Sequence, residues 1–497
     1  MRRHTHHYIK GRWLKSDTGV IEVLDPTTEE VAGLVSAGGP EDVTAAVDAA
    51  AGALVAWSRT TGAERAAHLD MIALLLEDRA DDLAKLVTAE CGMPIRRARL
   101  TELERSVANW RSYADLARHR QEPELSHCSL TFHRPAGVVG VITPWHDPLH
   151  HIALTVAAAL AAGCTVVLKP SELAPLNAFA LAHAVDAAGL PPGVFNLVAG
   201  SGRQAGEALA GNPLVDVIAF AGSSSSTSRR VGEIASRTGN RVCSEHHSCG
   251  TSVVLDDADL YSAVHSSVRS CMTTGPSRAT VTRMLVPKPK YEKACELARE
   301  AVEALVVGDP HNPATEMGPQ VSARHKEEVL RHVSEAVDHH AVVITGGLAP
   351  PRGTTSGYFV VPTVLGMADC GAALGGEAFR GPVLSISPHL GDVDAIALAN
   401  ASQWTTSATV WSCDISRAVL VASRLRAGNV DVNGGFWAAE PLGEQLVSHT
   451  TPADDSRALD DFLVSQELRL PRVADPGVRS ESGTFEAPAA WSQPWSR

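Results

Sequence analysis

The chain has 497 residues, of which 44% are hydrophobic and 20% are charged, a composition typical of a globular protein with room for two or three domains. The formal net charge of −13 argues against a nucleic-acid partner, because proteins that bind phosphate backbones usually carry a basic surface.

The sequence offers no segment for targeting or membrane insertion. The arginines at positions 2 and 3 are followed by no apolar region, so we predict no signal peptide. The longest apolar run, 152–164, is too short to span a bilayer and predicts a buried helix. Nine scattered cysteines suit a reducing compartment, and we expect a cytoplasmic protein. Adjacent histidines such as His150 and His151 point in different directions, so we expect no metal site.

The first part of the chain predicts a β-hairpin followed by helices. Residues 21–36 form the hairpin, with turn residues at Asp25-Pro26-Thr27. A helix is expected from Pro40 to about Trp57, with acidic residues in its first turn, where the helix dipole favours them. Apolar residues at helical spacing predict a helical stretch over 63–90 and another helix over 100–117.

From residue 137 onward, short apolar strands alternate with helices. The predicted strands are 137–142, 165–168, 194–198 and 215–220, and the predicted helices are 152–162, 174–188 and 204–210. This order implies a parallel sheet with both faces covered. Ligands of such sheets bind at the carboxyl ends of the strands, where Lys169, Gly200 and Gly222 are expected.

A second α/β stretch is predicted between residues 250 and 433. Its strands are expected at 252–255, 284–286, 341–345, 382–387, 408–411 and 429–433, and its helices at 288–305, 322–338 and 415–425. The end of the chain is rich in Pro, Gly, Ser and Glu, which predicts a disordered tail.

A series of short motifs extends over nearly the whole chain. They are Thr143-Pro144-Trp145-His146, Leu168-Lys169-Pro170-Ser171-Glu172, Gly200-Ser201-Gly202 with Gly206, Phe220-Ala221-Gly222-Ser223, Glu245, Leu255-Asp256-Asp257, Gly308-Asp309-Pro310, Met317-Gly318-Pro319, Gly357-Tyr358-Phe359 and Gly381-Pro382-Val383. Each motif alone occurs by chance, but their order and spacing together are specific. Over about residues 8–470 the chain resembles the aldehyde dehydrogenase superfamily.

The resemblance implies an α/β protein with the aldehyde dehydrogenase fold: a Rossmann-like cofactor domain, an α/β catalytic domain and a small oligomerisation β element. The expected bounds are 1–118 and 137–246 for the NAD(P)-binding domain, 247–450 for the catalytic domain, 119–136 and 451–471 for the oligomerisation element, and 472–497 for the disordered tail. Exposed strand edges in the oligomerisation element would be covered by another subunit, which predicts a homodimer or homotetramer.

The resemblance also implies a dinucleotide site. Lys169 and Glu172 would meet the adenosine ribose hydroxyls, and a carboxylate there favours NAD over NADP. Glycines after the next strands would let the backbone approach the cofactor. The expected contact residues are Thr143, Pro144, Trp145, Lys169, Ser171, Glu172, Gly202, Gly206, Phe220, Gly222, Ser223, His246, Glu377 and Phe379. From the residues alone, a solvated strand end and an ordinary glycine loop remain alternatives.

The family's chemistry requires a nucleophilic cysteine, an asparagine for the oxyanion, nicotinamide as hydride acceptor and a glutamate that activates water. The resemblance places the glutamate at Glu245 and puts His146 at the asparagine position. Between Gly275 and Arg283, the cysteine position holds Arg278. Arginine stays protonated and has no lone pair for attack, and it could pair with Glu245 and lower the basicity of that carboxylate.

Other site positions also depart from the family pattern. His247 and Ser248 replace glycines, Cys249 replaces a lysine, and a serine-rich run at 224–228 replaces the family's small-apolar-glycine pattern. Near residue 380, either one inserted residue keeps Glu377 and Phe379 in their cofactor roles, or an ungapped match puts Ala378 and Arg380 there.

Three functional hypotheses follow. The chain could have lost aldehyde oxidation, while binding a dinucleotide or a small anion at Arg278 or acting as a structural partner. It could use Glu245, His146 or Cys249 for different, non-redox chemistry. It could also be an active NAD-dependent aldehyde dehydrogenase with another nucleophile. Neither Cys271, seven residues upstream, nor Ser277, without an evident base, is expected to serve. Cys249, close in sequence to Glu245, is the most interesting substitute, but an isolated cysteine is most often a small buried hydrophobic residue.

Overall fold

A computed structural model describes residues 2–16, 18–120, 124–126, 129–222, 225–246, 250–272, 281–354, 356–367, 381–401, 405–434 and 459–469. Within these residues the chain forms two seven-stranded sheets and two three-stranded sheets. No helix in this part of the chain is long and apolar enough to cross a membrane.

The N-terminal region contains five strands. They are β1 Arg2–His4, β2 His6–Ile9, β3 Arg12–Lys15, β4 Val20–Leu24 and β5 Val31–Ser36. The predicted hairpin is confirmed, because β4 and β5 pair antiparallel. The Asp25 carboxylate accepts the N–H of Thr27 at 2.8 Å and so stabilises the turn between them. Strand β1 lies parallel to β5 and completes one three-stranded sheet.

Helices follow, broadly as predicted. They are α1 Pro40–Trp57, α2 Gly62–Asp78, α3 Ala80–Cys91, α4 Ile95–Arg97 and α5 Arg105–His119, with a π-helical turn at Ala98–Glu104. The single helical stretch predicted over 63–90 is wrong in one respect. It breaks at Arg79, whose backbone leaves the helical region at φ −108° and ψ 18°, and the chain continues as a separate helix.

The first seven-stranded sheet has the order β12-β11-β8-β9-β10-β2-β3. Its later strands are β8 Val138–Ile142, β9 Thr165–Lys169, β10 Phe195–Leu197, β11 Val217–Gly222 and β12 Arg241–His246. These five are parallel, as predicted, but the unpredicted hairpin β2–β3 adds an antiparallel edge. Val166 and Val167 pack into different core clusters on opposite faces of the sheet, so both faces are covered.

Helical segments connect these strands. They are α6 Pro148–Ile152, α7 Ala158–Ala162, α8 Leu176–Ala187, α9 Glu207–Ala210 and α10 Ser225–Thr238, with π-helical turns at Ala153–Ala157 and Gly202–Gly206. The helix predicted to begin at Ile152 begins four residues earlier, at Pro148, directly after Asp147.

The second seven-stranded sheet has the order β15-β16-β17-β14-β13-β18-β19. Its strands are β13 Gly250–Val254, β14 Val281–Pro287, β15 Val342–Thr345, β16 Thr363–Gly366, β17 Val383–His389, β18 Thr405–Trp411 and β19 Ala427–Val432. Its helices are α11 Leu260–Cys271, α12 Tyr291–Glu303, α13 Ala323–Asp338, α14 Asp392–Asn400 and α15 Ile415–Ala422, with a 3-10 turn at Lys288–Lys290. All six predicted strands are present, whereas β16, α11 and α14 were not predicted.

The last sheet joins distant parts of the chain. It has the order β20-β7-β6 and is built from β6 Glu124–Ser126, β7 Ser129–Pro135 and β20 Leu463–Arg469. Strand β20 pairs antiparallel with β7 along the whole length of both strands. The two segments predicted for the oligomerisation element, 119–136 and 451–471, thus contribute strands to one small sheet.

Candidate active site

The predicted site residues of the first sheet follow its parallel strands. Thr143 comes directly after β8, Lys169 ends β9, and Gly222 ends β11. The glycine loop at 200–206 follows β10, the next strand in the same sheet. Because β11, β8, β9 and β10 are neighbours and parallel, these segments lie side by side at the carboxyl ends of the strands, as predicted.

Lys169 is the last residue of β9, which lies between β8 and β10. Its side chain is buried, with 4% of its surface exposed, and its Nζ donates to the carbonyl oxygen of Gly200 at 3.3 Å. Burial lowers the pKa of Lys169 to about 8, while the nearby carboxylate of Glu172 acts in the opposite direction. A Cβ on Gly206 would lie 3.7 Å from Cδ of Lys169, so the loop passes directly over the lysine stem.

Glu172 links the same two loops from the solvent side. Its Oε2 accepts the N–H of Gly202 at 2.9 Å. Two other predicted contacts are engaged locally: the Ser171 hydroxyl accepts the N–H of Leu173, and the Thr143 N–H donates to the Lys169 carbonyl. Pro144 is buried beside them. Hydrogen bonds therefore link several of the residues that were predicted to contact a cofactor.

The next strand end brings Phe220 and Gly222 together. The Phe220 ring is buried, and a Cβ on Gly222 would come within 2.5 Å of its Cζ, so only glycine leaves room for the ring. Backbone pairing of β11 with β12 places Ala221 beside Glu245 and Gly222 beside His246. The backbone of Glu245 and His246 therefore lies at the carboxyl end of β12, next to the end of β11.

Trp145 and His146 lead from β8 toward helix α6. The Trp145 carbonyl accepts the Cys91 thiol at 3.3 Å, and its ring makes edge contacts with His146 and His325 at 5.6 and 5.2 Å between centroids. His146 is 3% exposed, and its ring also meets the ring of His151 edge-on at 5.1 Å. His146 therefore lies in a buried aromatic environment.

Asp147 is a buried acid that the sequence interpretation left unused. Its backbone is left-handed, with φ 43° and ψ 49°, a region that aspartate tolerates better than most residues. Its Oδ1 lies 3.7 Å from the Arg97 guanidinium. The carboxylate of Glu102, from the π-helical turn before α5, accepts the N–H groups of Leu149 and His150. Burial and then the Asp147 carboxylate raise the pKa of Glu102 well above its ordinary range.

Asp147 and His151 lie close to His146, and neither was predicted as a site residue. The signal was present as a four-residue spacing, which is one helical turn and places two side chains on the same face. It was missed because the helix was expected to begin at Ile152, beyond both residues. The backbone bond from the His151 N–H to the Asp147 carbonyl shows that the turn is formed.

Several predicted positions lie outside the described residues. They are Arg278, Ser223, His247, Ser248, Cys249, Ser277, Ala378, Arg380, Glu377 and Phe379. Cys271, weighed as a substitute nucleophile, lies at the end of α11 with 1% of its surface exposed. It packs in the hydrophobic core of the second sheet.

Comparison with known proteins gives consistent matches. The model of the "Aldehyde dehydrogenase family" matches residues 13–444. The chain is 39% identical over 437 residues to a 3-succinoylsemialdehyde-pyridine dehydrogenase of Pseudomonas sp, covering 87% of this chain and 91% of that protein. It is 37% identical over 440 residues to a geranial dehydrogenase of Castellaniella defragrans, with the same two coverages.

Solved structures agree with these relatives. A mutant of aldehyde dehydrogenase C from Pseudomonas syringae, in complex with NAD+ and octanal, has a TM-score of 0.88 and 32% identity, covering 94% of this chain and 96% of that one. A betaine aldehyde dehydrogenase mutant from Staphylococcus aureus, in complex with NAD+, has a TM-score of 0.86 and 26% identity, covering 93% and 96%.

Proposed function

The chain belongs to the aldehyde dehydrogenase family, and from this premise we propose that it binds NAD but does not oxidise aldehydes through a thioester. One observation carries the proposal: at the family spacing between Gly275 and Arg283, the nucleophile position holds Arg278. A guanidinium is protonated at all physiological pH values and cannot attack a carbonyl carbon.

The buried position of Cys271 supports this proposal. A substitute nucleophile must reach the substrate as a thiolate, and reactive cysteines lie in partly exposed, electropositive surroundings. Cys271 is almost completely buried among residues of the second sheet. It therefore acts as a small core residue rather than as the missing nucleophile.

The cofactor side of the site supports retention of NAD. Lys169 presents a buried amino group at the strand end, Glu172 lies beside it, and the glycines at 202 and 206 keep the loop close to both. Lys169 would donate to a ribose hydroxyl and Glu172 would accept from one, whereas the same carboxylate would repel a ribose phosphate. When bound, NAD supplies a hydride acceptor.

The alternative is an active NAD-dependent aldehyde dehydrogenase with a different nucleophile. The relatives favour it, because proteins 39% and 37% identical to this chain are named as dehydrogenases of aldehydes. The two proposals differ in turnover, since both include NAD binding.

Calorimetric titration with NAD, followed by absorbance assays over a panel of aldehydes, tests the proposal. We expect micromolar NAD binding and no NADH production. Turnover by the natural chain would overturn the assignment of Arg278, and absence of binding would overturn the NAD part. The variant Arg278→Cys should gain measurable oxidation if the rest of the site is intact, while Arg283→Cys, five residues away, should gain none.

A further inference from the structure

We propose that His146, Asp147 and His151 form a binding site for a divalent transition metal ion. Each residue offers one ligand atom, and these atoms all lie within 4.8 Å of one another. All three side chains are buried, with 3%, 9% and 3% of their surfaces exposed. Within the described part of the chain, no other three His, Cys, Asp or Glu residues have their ligand atoms this close together.

Local backbone geometry brings the three ligands together. Asp147 immediately precedes α6, and its carbonyl accepts the His151 N–H at 3.0 Å, so the two side chains are separated by one helical turn. The left-handed backbone of Asp147 turns the chain sharply, which brings the preceding residue, His146, back toward the helix. The His146 and His151 rings then meet edge-on at 5.1 Å.

The distances need only small adjustments for metal binding. Ligand atoms bound tetrahedrally at about 2.1 Å from a metal are roughly 3.4 Å apart. Atoms separated by as much as 4.8 Å reach that spacing when each moves by about 0.7 Å, which side-chain torsions allow. The three ligand atoms are therefore close enough together to bind one metal ion after small side-chain movements.

Two charged side chains lie near the carboxylate ligand. The Glu102 carboxylate accepts the N–H groups of Leu149 and His150 in the first turn of α6, and the Arg97 guanidinium lies 3.7 Å from Oδ1 of Asp147. That separation is longer than a hydrogen bond. In known metal centres, such second partners hold a ligating carboxylate in position, and their loss weakens metal binding.

The donor set selects the class of ion. Two imidazole nitrogens and one carboxylate favour Zn²⁺, Co²⁺, Ni²⁺ or Fe²⁺ over Ca²⁺ and Mg²⁺, which prefer oxygen ligands. Three protein ligands leave at least one position for a water molecule or another small oxygen ligand. The inference is independent of NAD binding and of the identity of the nucleophile.

Titration of the metal-free, full-length protein with Co²⁺ tests the proposal. We expect one Co²⁺ per chain at micromolar affinity, with visible absorption bands of a four- or five-coordinate ion. The variants His146→Asn and His151→Leu should each weaken binding at least about 10-fold, the lower bound for loss of supporting metal-site groups. Asp147→Asn, which keeps the side-chain shape, should do the same.

His150 provides a matched control. It is adjacent to His151 and is buried, but its Nδ1 lies 3.1 Å from the Asn109 side-chain amide and it is not one of the three clustered ligands. His150→Gln should retain Co²⁺ affinity within about threefold, a difference of less than 1 kcal/mol. Exposed histidines such as His6 are present in every variant, so any binding to them is common to all of them.

Two results would overturn the site. The first is absence of stoichiometric Co²⁺ binding to the natural, folded chain, which requires no variant. The second is binding that persists unchanged in the double variant His146→Asn/His151→Leu. If that double variant is unstable, the rise in Tm caused by Zn²⁺ decides: at equal Zn²⁺ it should be the same in the natural chain and in His150→Gln but smaller in Asp147→Asn.

Discussion

We propose that the buried charge of Lys169 contributes to NAD affinity. Its Nζ donates to the Gly200 carbonyl, and an ammonium group carries three donors. Replacing it by methionine keeps the stem and removes the donors. Since hydrogen bonds to charged groups contribute about 1.5–3 kcal/mol, NAD affinity should fall roughly 10- to 100-fold.

Calorimetry on Lys169→Met and on the surface variant Lys293→Met measures this loss. Lys293 lies on α12 and pairs with Glu296, far from the first sheet in the chain. The surface variant should bind NAD as the natural chain does. Equal affinity of both variants would show that the Lys169 ammonium does not contact the cofactor.

The pH dependence of NAD binding provides a second prediction for Lys169. Burial lowers its pKa to about 8, against 10.5 for an ordinary lysine. The ammonium therefore loses its charge as pH rises through about 8, and NAD affinity should decrease over that range. The contribution of Lys169 to folding changes in the other direction: between pH 8 and 10.5 the unfolded chain binds more protons, so the free energy of unfolding rises with pH.

Isothermal titrations between pH 6.5 and 9.5 check this dependence. In Lys169→Met the decrease above pH 8 should disappear, because no group titrates at that position. A decrease that persists in the variant would assign the pH dependence to another group.

At the scale of elements, Glu90 connects helices α3 and α8. Its carboxylate, at the end of α3, accepts the N–H groups of Leu176 and Asn177 and the Asn177 side-chain amide at 2.6–3.1 Å. These donors lie at the first turn of α8, where backbone N–H groups have no helical partner. Glu90 therefore fixes the start of α8 against α3.

Removing this carboxylate should destabilise the fold. Glu90 is completely buried, and Glu90→Ala leaves several buried donors without an acceptor, at a cost of about 1–3 kcal/mol. Glu77→Ala, which removes a half-exposed carboxylate paired with Arg111, should cost less than about 1 kcal/mol. Chemical denaturation of both variants gives the comparison, and equal losses would contradict the role of Glu90.

Burial also raises the pKa of Glu90 to about 7, although its hydrogen bonds lower it. Between pH 4.5 and 7 the folded chain holds a proton on Glu90 that the unfolded chain releases. This group therefore contributes stability at low pH that is lost as pH rises through 7.

Elements with strong periodicity could be predicted, whereas those fixed by distant contacts could not. Helix α1 and strand β9 follow directly from their own residues, and both begin and end close to their predicted bounds. The hairpin β2–β3 is short and carries polar residues, and it is held by pairing with β10, nearly 190 residues away. No local pattern contains that partner.

The residues of the candidate site also include some that could be predicted from the sequence and some that could not. Lys169 and Gly222 could be placed because a strand end is a local property of the sequence. The cluster of His146, Asp147 and His151 depends on where α6 begins, and that start is set by the left-handed backbone of Asp147. A shift of four residues in one helix boundary was enough to hide the cluster.

At the scale of the whole molecule, strand β20 forms an edge of its three-stranded sheet. Val464 and Leu468 are about half exposed and, four residues apart in a strand, point to the same face. An edge strand with exposed apolar residues is a template for association unless another chain covers it. We therefore propose that this sheet joins subunits in a homodimer or homotetramer.

Light scattering coupled to gel filtration tests this assembly. The natural chain should elute at two or four times its mass of 52.4 kDa. The double variant Val464→Lys/Leu468→Lys should shift toward smaller species, because two charges would have to be buried in the contact. The double variant Ser465→Lys/Glu467→Lys places the same residues on the opposite face of β20 and should retain the larger assembly. A monomeric natural chain would contradict the proposal. Equal dissociation of both double variants would indicate that the subunits pair along the backbone of β20 rather than through the face that carries Val464 and Leu468.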